Sequence, residues 1–185
     1  IVVPSVREAM GPAAALVHGD PSRGLAVVGV TGTNGKTTTV RLVAGLLTAL
    51  GVRSREIGTL TGARTTPEAP DLQRILADAR RSGDQVVAME VSSHALDQHR
   101  VDGTHFRVVG FTNLGVDHLD HHGTIDEYFA AKRRLFTDGF GDLAVIDAEG
   151  VVGQVTRVYP HMAEVTLITD KDHAVPVKVE RSGVR

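Results

Sequence analysis

The sequence predicts an α/β fold: a parallel sheet of the phosphate-loop (P-loop) type flanked by helices, followed by a short β-rich segment. Three observations support this prediction. Short apolar runs typical of buried strands alternate with segments of helical periodicity. A glycine-rich stretch joins the first of these runs to a helix. After residue 150, β-type runs follow one another with turn residues and no helix between them, which is typical of antiparallel structure.

The composition is that of an ordinary globular protein, with 185 residues, 42% hydrophobic and 23% charged, and a formal net charge of −2. This charge excludes a strongly basic nucleic-acid binder and gives no reason to expect anionic membranes as partners. The absence of cysteine excludes a disulfide scaffold, a thiolate zinc site and a cysteine nucleophile. The longest apolar stretch, at residues 42–50, is too short for a membrane span. No signal pattern opens the sequence, so a cytoplasmic location is expected.

The predicted elements divide the chain into three parts. These are a linker with one helix at residues 1–24, the α/β domain at 25–149 and the β-rich segment at 150–185. Apolar runs predict strands of the sheet at residues 25–30, 55–60, 85–91, 106–111 and 143–147. Helical periodicity and capping residues predict helices at 5–17, 36–50, 71–81 and from 124 onward. The β-type runs of the last segment are at 151–155, 163–169 and 174–179.

A candidate phosphate loop lies at residues 27–38, which read V-V-G-V-T-G-T-N-G-K-T-T. Glycines let backbone N–H groups converge on an anion, and the helix N-terminus and Lys36 add positive charge toward the terminal phosphates. Thr37 is placed to bind Mg²⁺ through its hydroxyl. The spacing departs from the standard Walker pattern, whose first glycine would fall at Val30, one place after Gly29. The alternative is an ordinary glycine-rich turn, but the order of strand, loop and helix predicts binding of ATP with Mg²⁺.

The stretch T-G-T-N-G-K-T-T at residues 31–38 resembles the ATP loop of the Mur ligases, which are ATP-dependent amide-forming enzymes of peptidoglycan synthesis. The related folylpolyglutamate synthetases share its first six residues but typically continue Gly-Ser where this chain has two threonines. The Mur branch is therefore favoured. The resemblance implies that the nucleotide is contacted by Gly32, Thr33, Asn34, Gly35, Lys36, Thr37 and Thr38.

A carboxylate, Glu90, ends one of the apolar strand runs. At the carboxyl edge of a parallel sheet it would face the ligand crevice, where it could hold Mg²⁺ opposite Thr37. The alternative from chemistry alone is a solvent-exposed glutamate at a strand end.

The residues around this carboxylate carry a second resemblance. The stretches E-V-S-S-H at 90–94 and Q-H-R at 98–100 resemble the UDP-MurNAc-dipeptide ligases, which add the third residue of the peptidoglycan stem peptide. The resemblance favours Glu90 as a metal ligand. It also implies that the UDP-sugar peptide substrate is contacted by Thr65, Thr66, Ser92, Gln98 and Arg100. The family usually has Asn before the threonine pair, where this chain has Arg64.

A histidine-rich stretch, D-H-L-D-H-H, lies at residues 117–122. Histidines with carboxylates suggest zinc, and the alternative is a polar surface loop. The stretches T-N-L at 112–114 and D-H-L-D at 117–120 match a loop of the Mur ligases whose histidine binds a second Mg²⁺. The resemblance therefore implies that His118 is a metal ligand, and we expect Asn113 to contact the nucleotide.

Lys132 is predicted on the apolar face of a helix that begins at the capping box T-I-D-E, residues 124–127. The residues that share this face are Ile125, Phe129, Lys132 and Phe136. The ammonium could reach water while its stem is buried. A buried amine would instead have a lowered pKa and could capture CO₂ as an anionic carbamate that ligates Mg²⁺. The Mur ligases do this at the lysine of an A-A-K stretch, so the resemblance implies that Lys132 is carbamylated.

The resemblance to the Mur ligases runs from about residue 4 to about residue 150, and residues 150–185 instead resemble a β-rich piece of the rod-shape-determining protein MreC, a cell-envelope scaffold. The implied activity joins a diamino acid, meso-diaminopimelate or lysine, to UDP-MurNAc-L-Ala-D-Glu. ATP drives it through an acyl phosphate, with Lys36, His118 and Lys132 as catalytic residues. The competing class is a catalytically incomplete nucleotide-binding or scaffold module that self-associates through open β edges. Because positioning of substrates supplies much of the rate, we expect this chain alone not to complete the ligation.

Overall fold

The computed structural model describes residues 2–146, 153–159 and 162–167. The helices are α1 Val6–Val17, α2 Lys36–Ala49, α3 Ala69–Arg81, α4 Ser93–Asp97, α5 Leu119–His122 and α6 Ile125–Thr137, with a 3₁₀ turn at Pro21–Gly24. The strands are β1 Ala26–Thr31, β2 Ser54–Ile57, β3 Val86–Glu90, β4 Phe106–Phe111, β5 Gly141–Ile146, β6 Gly153–Tyr159 and β7 Met162–Leu167. Within this described part, no helix has the length and apolar character needed to cross a membrane.

Five strands form one fully parallel sheet in the order β2-β3-β1-β4-β5. The central strand β1 pairs with β3 and β4, so that Val28 lies between Ala88 and Val108. Because all five strands run in the same direction, their carboxyl ends meet at one edge, where the loops after β1, β3 and β4 come together. The predicted parallel α/β sheet is confirmed.

Two short helices were not predicted from the sequence. Helix α4 has five residues and α5 has four, which is too short for a periodic apolar pattern to indicate a helix. Ser92 caps α4, since its Oγ atom accepts a hydrogen bond from the Ala95 amide at 3.2 Å. Strand β2 is also shorter than predicted, because residues 58–60 turn away from the sheet.

Helices cover both faces of the sheet. The larger core lies beneath α3 and α6 and includes Val27, Leu72, Val87, Met89, Val109 and Leu135. A smaller cluster beneath α2 contains Val30, Val40 and Ala88. Gly29 faces the larger core, where a Cβ would lie 2.6 Å from the ring of Phe106. Its lack of a side chain therefore serves packing of β1 against β4, which accounts for its position one place before the first glycine of a Walker pattern.

The buried face of α6 differs from the predicted one. The predicted capping box is present. The buried residues of the helix, however, are Tyr128, Ala131, Lys132 and Leu135. The prediction that Ile125 belongs to this face was wrong, since it is 36% exposed, and Phe129 and Phe136 are only half-buried. Periodicity could not choose between two adjacent stripes that share Lys132, and the stripe containing Tyr128 is the one that packs inward.

Helix α1 packs on the turn at residues 102–103 through a glycine. A Cβ added to Gly11 would lie 2.0 Å from the backbone oxygen of Asp102. Gly11→Ala is therefore expected to lower the free energy of unfolding by about 1–3 kcal/mol in urea denaturation. Gly45→Ala in α2 is the matched control, because a Cβ there meets nothing within 4 Å, and alanine is favoured over glycine by about 1 kcal/mol in a helix. Equal effects of the two substitutions would contradict this close packing.

The antiparallel structure predicted after residue 150 is confirmed over the described residues. Strands β6 and β7 pair antiparallel, with Gly153 opposite Leu167 and Tyr159 opposite Met162. The third predicted run, at residues 174–179, lies outside the described residues. The division of the chain at residues 24 and 149 remains a prediction.

Candidate active site

The loop between β1 and α2 closes around the side chain of Lys36. The Nζ atom donates hydrogen bonds to the carbonyl oxygens of Gly32 at 2.8 Å and Thr33 at 2.9 Å. Gly35 caps the helix with φ 84°, and Gly32 has φ 146°. A Cβ on Gly32 would also lie 2.0 Å from Thr112 Oγ1. Only glycine suits these two positions, and the resulting turn directs the start of α2 toward the site as an anion-binding loop requires.

Glu90 lies at the end of β3, buried beside this loop and only 2% exposed. Its Oε2 atom accepts a hydrogen bond from Thr37 Oγ1 at 2.9 Å, and its Oε1 atom accepts one from the Thr59 amide at 2.9 Å. A solvent-exposed glutamate is therefore excluded. The Thr37 hydroxyl and the Glu90 carboxylate form an adjacent pair of oxygen donors of the kind that Mg²⁺ prefers.

Lys132 extends from α6 into the same site and is only 1% exposed. Its Nζ atom donates a hydrogen bond to the Gly32 carbonyl at 2.7 Å and lies 4.3 Å from the centre of the Tyr128 ring. The ammonium does not reach water, so the prediction of a buried amine is confirmed. Burial, and then the charge of Lys36, lower the pKa of Lys132 to about 7, with Asp117 opposing them. A substantial fraction of this amine is therefore neutral at neutral pH.

Stability is expected to depend on pH through Lys132. Folding lowers its pKa from 10.5 to about 7, so between these pH values the unfolded chain binds more protons than the folded one. The free energy of unfolding should therefore rise with pH across this interval. The total rise is up to about 1.4 kcal/mol for each unit by which folding lowers the pKa of Lys132. Lys132→Met should flatten the rise, measured by urea denaturation in CO₂-free buffer. The exposed neighbour substitution Arg133→Met should leave it unchanged, and an unchanged slope in Lys132→Met would contradict the buried ammonium.

A cavity of about 170 Å³ connects these side chains at the carboxyl edge of the sheet. The predicted catalytic, metal-binding and substrate-binding residues in its walls are Lys36, Thr37, Thr65, Glu90, Ser92, His118 and Lys132. They come from the first turn of α2, the end of β3, the loops after β2, β3 and β4, and α6, so the fold brings together residues that are far apart in the sequence. Burial also lowers the pKa of Lys36, although Glu90 and Asp117 oppose this effect.

Four histidines cluster beside the cavity. His94 lies at the centre, and the ring centres of His118, His121 and His122 are 4.2–5.4 Å from it. Two of these rings also form hydrogen bonds outside the cluster. His121 Nε2 lies 3.0 Å from Asp97 Oδ2, and His122 Nε2 lies 3.0 Å from Ser93 Oγ. Burial, and then the charge of His121, lower the pKa of both His94 and His122. Among the residues whose structure is described, no group of three or more histidine or acidic side chains is arranged so that it could hold a metal ion.

Asn113 holds the phosphate loop from the neighbouring strand end. Its Oδ1 atom accepts a hydrogen bond from the Asn34 amide at 3.0 Å, and its Nδ2 atom donates one to the Asn34 carbonyl at 3.2 Å. Its own carbonyl accepts a hydrogen bond from the Thr33 amide at 2.9 Å. This positioning contact with the loop was not predicted, and direct contact of Asn113 with a nucleotide remains a prediction.

Four of the residues predicted to contact a UDP-sugar peptide, Thr66, Ser92, Gln98 and Arg100, are linked by hydrogen bonds into one group that begins beside Glu90. Thr66 is 1% exposed, donates a hydrogen bond to the Glu90 carbonyl at 2.9 Å and accepts one from the Ser92 amide at 3.1 Å. Arg100 donates hydrogen bonds to the Thr66 carbonyl at 3.2 Å and to Gln98 Oε1 at 2.6 Å. Their contact with substrate remains a prediction.

Sequence reasoning missed a group of three arginines around Glu68. Arg7 and Arg64 contact the two carboxylate oxygens at 2.8 Å and 2.9 Å, and Arg100 Nε lies 3.2 Å from one of them. One carboxylate balances only one of three guanidinium groups, so these four side chains together carry a net positive charge next to the predicted substrate residues. No local motif could indicate this group, because Arg7 on α1 and Glu68 are 61 positions apart.

Comparison with known proteins identifies similar chains. The family model described as the Mur ligase middle domain matches residues 30–178. The UDP-N-acetylmuramoyl-L-alanyl-D-glutamate--2,6-diaminopimelate ligase of Xylella fastidiosa strain 9a5c is 50% identical over 163 residues, covering 83% of this chain and 33% of that protein. The ligase of the same name from Corynebacterium efficiens is 50% identical over 149 residues, covering 75% of this chain and 28% of that protein. This chain therefore spans about a third of the length of these relatives.

Solved structures show the same similarity. A structure of UDP-N-acetylmuramoyl-L-alanyl-D-glutamate--2,6-diaminopimelate ligase matches with a TM-score of 0.70 and 37% identity, covering 80% of this chain and 32% of that one. A MurF ligase from Thermotoga maritima in complex with ADP matches with a TM-score of 0.56 and 22% identity, covering 79% and 33%, which shows the fold alone. The family match continues past residue 150, where the sequence had suggested that it ends. The comparisons give no support to a resemblance of residues 150–185 to MreC.

Proposed function

From the premise that the chain belongs to the Mur ligase family, whose middle domain matches residues 30–178, we propose that it provides the ATP-binding site of a ligase that extends UDP-MurNAc-L-Ala-D-Glu. The observation that carries the proposal is the meeting of Lys36, Thr37, Glu90 and Lys132 around one cavity beside the phosphate loop. The relatives named above are diaminopimelate ligases, so diaminopimelate is the amino acid that we propose. The reaction consumes ATP, and we place it in the cytoplasm.

Magnesium fits the oxygen donors of this site. Mg²⁺ is usually bound by one or two carboxylates, with substrate phosphates and water completing its shell. The adjacent Thr37 hydroxyl and Glu90 carboxylate suit one ion. His118, in the same cavity wall, would hold a second together with a carbamylated Lys132. Bound Mg²⁺ would offset negative charge on the phosphoryl group during its transfer.

The lysine of the phosphate loop provides the protein's own positive charge at this point. Lys36 would exchange its hydrogen bonds to the Gly32 and Thr33 carbonyls for phosphate oxygens. In the proposed reaction, a carboxylate oxygen of the dipeptide attacks the γ-phosphorus and ADP leaves. The amine of diaminopimelate then attacks the acyl carbon, phosphate leaves and the nitrogen loses a proton. Lys36 is positioned to stabilise the phosphoryl group through the first of these steps.

Carbamylation of Lys132 is supported by burial and by its neighbour. A neutral amine attacks the carbon of CO₂ and loses a proton, which gives an anionic carbamate. The cation of Lys132 shares the Gly32 carbonyl with the cation of Lys36, so conversion to an anion would replace repulsion by attraction. Carbamylation would change the charge of the Lys132 side chain from positive to negative next to Lys36 and His118. This negative charge supports a role for the carbamate as a metal ligand.

Two assays on the 185-residue chain test the proposal. Calorimetric titration with ATP and Mg²⁺ should show saturable binding, and absence of binding would contradict the nucleotide site. Phosphate release should then be measured with and without UDP-MurNAc-L-Ala-D-Glu and diaminopimelate. Release that depends on both substrates supports the ligase. Nucleotide binding without such release is the result expected if this chain, which spans a third of its relatives' length, acts alone only as a nucleotide-binding module, the second candidate.

A further inference from the structure

Tyr128 is buried in the site although no motif singles it out. It is 0% exposed and lies one helical turn before Lys132 on α6. Its hydroxyl donates a hydrogen bond to Thr33 Oγ1 in the phosphate loop at 3.2 Å. Burial raises the pKa of this hydroxyl, so it keeps its proton and remains a donor.

The Thr33 hydroxyl is the point where three segments meet. It accepts hydrogen bonds from the Tyr128 hydroxyl and from the Gly115 amide at 2.8 Å, and it donates to the Gly115 carbonyl at 3.3 Å. Gly115 belongs to the segment that leads to His118. One hydroxyl thus joins the phosphate loop, the His118 segment and helix α6, and all of its hydrogen-bonding capacity is used.

The Tyr128 ring is packed against three neighbouring side chains. The Lys132 ammonium lies over the ring at 4.3 Å from its centre. The rings of His122 and His118 lie 5.3 Å and 6.1 Å from it, centre to centre. Because Tyr128 belongs to α6 and is packed on several sides, its hydrogen bond to Thr33 couples the position of the phosphate loop to that of α6.

We propose that Tyr128 is a positioning residue for nucleotide binding: through the Thr33 hydroxyl, it fixes the phosphate loop against the His118 segment and the helix that carries Lys132. The inference rests on the proposed function, because the loop that Tyr128 fixes is the proposed nucleotide site. Tyr128 does not touch the phosphates in this role and acts only through Thr33.

Hydrogen exchange tests the proposal without any nucleotide. Tyr128→Phe removes the hydroxyl and keeps the ring, and the Gly115 amide should then exchange about three- to tenfold faster, as loss of one neutral hydrogen bond predicts. Thr33→Val should accelerate exchange of the Gly115 amide at least as much. Thr33→Ser keeps the hydroxyl, and the Gly115 amide should exchange as slowly in this variant as in the unaltered chain. Thr104→Val is the matched control. It removes a buried side-chain hydrogen bond with Gln73, outside the cavity, and should lower stability without changing Gly115 exchange.

ATP affinity tests the consequence. Tyr128→Phe and Thr33→Val should each weaken binding of Mg²⁺–ATP by about three- to tenfold. The double variant should be little weaker than Thr33→Val alone, because both remove the same hydrogen bond. Additive losses, or wild-type affinity and exchange in Tyr128→Phe, would overturn the proposal. If the unaltered chain binds no ATP, the proposed function fails, and the exchange measurement still decides whether Tyr128 fixes the loop.

Discussion

Replacing Lys36 by alanine is expected to weaken binding of Mg²⁺–ATP by about ten- to hundredfold. Lys36 is the side chain around which the phosphate loop closes, with hydrogen bonds to two loop carbonyls. The phosphate oxygens of a bound nucleotide would accept hydrogen bonds from this ammonium in place of the carbonyls. Hydrogen bonds to a charged group contribute about 1.5–3 kcal/mol each. The affinity is measured by calorimetric titration at constant ionic strength.

Two further variants separate loss of charge from a change in loop shape. Lys36→Met keeps the length of the side chain without its charge and should weaken binding as much as Lys36→Ala. Arg41→Ala removes an exposed cation from the same helix α2 and should leave the affinity within about twofold of the unaltered chain, since solvent and salt weaken the interactions of an exposed charge. Unchanged affinity in both Lys36 variants would exclude the loop as the nucleotide site.

Those residues of the site that lie in short local sequence patterns could be predicted from the sequence. The phosphate loop, the strand that ends at Glu90 and the buried Lys132 could be predicted because a strand end, a capping box and helical spacing are local features. Glu90 then reaches Thr37 because parallel strands end at the same edge of the sheet.

The contacts that join separate segments could not be predicted in this way. Arg7 meets Glu68, and Tyr128 meets Thr33, only after the chain has folded, and neither pair has a spacing that a sequence pattern could indicate. The face of α6 was predicted incorrectly for a related reason. Two apolar stripes overlap at Lys132, and the tertiary packing of α6 against α4, α5 and β5 decides that the one with Tyr128 is buried.

Loss of the proposed carbamate at Lys132 has the largest expected effect on activity. The chain should incorporate ¹³C-labelled CO₂ as a carbamate detectable by ¹³C NMR, and Lys132→Met should abolish that signal. Arg133→Met, at the exposed neighbouring position of α6, should retain it. In a full-length relative, replacing the lysine that corresponds to Lys132 by alanine should abolish turnover, with partial rescue by added short carboxylates that supply the missing anion.

The pH dependence identifies the amine that reacts. Carbamylation needs the neutral amine, and the pKa of Lys132 is lowered to about 7. At a fixed concentration of dissolved CO₂, the carbamate signal should therefore be small below this pH and should rise as the pH passes through about 7. An exposed lysine would show this rise only near its ordinary pKa of about 10.4. A carbamate signal that persists in Lys132→Met, or one that rises only at alkaline pH, would contradict the assignment to this buried side chain.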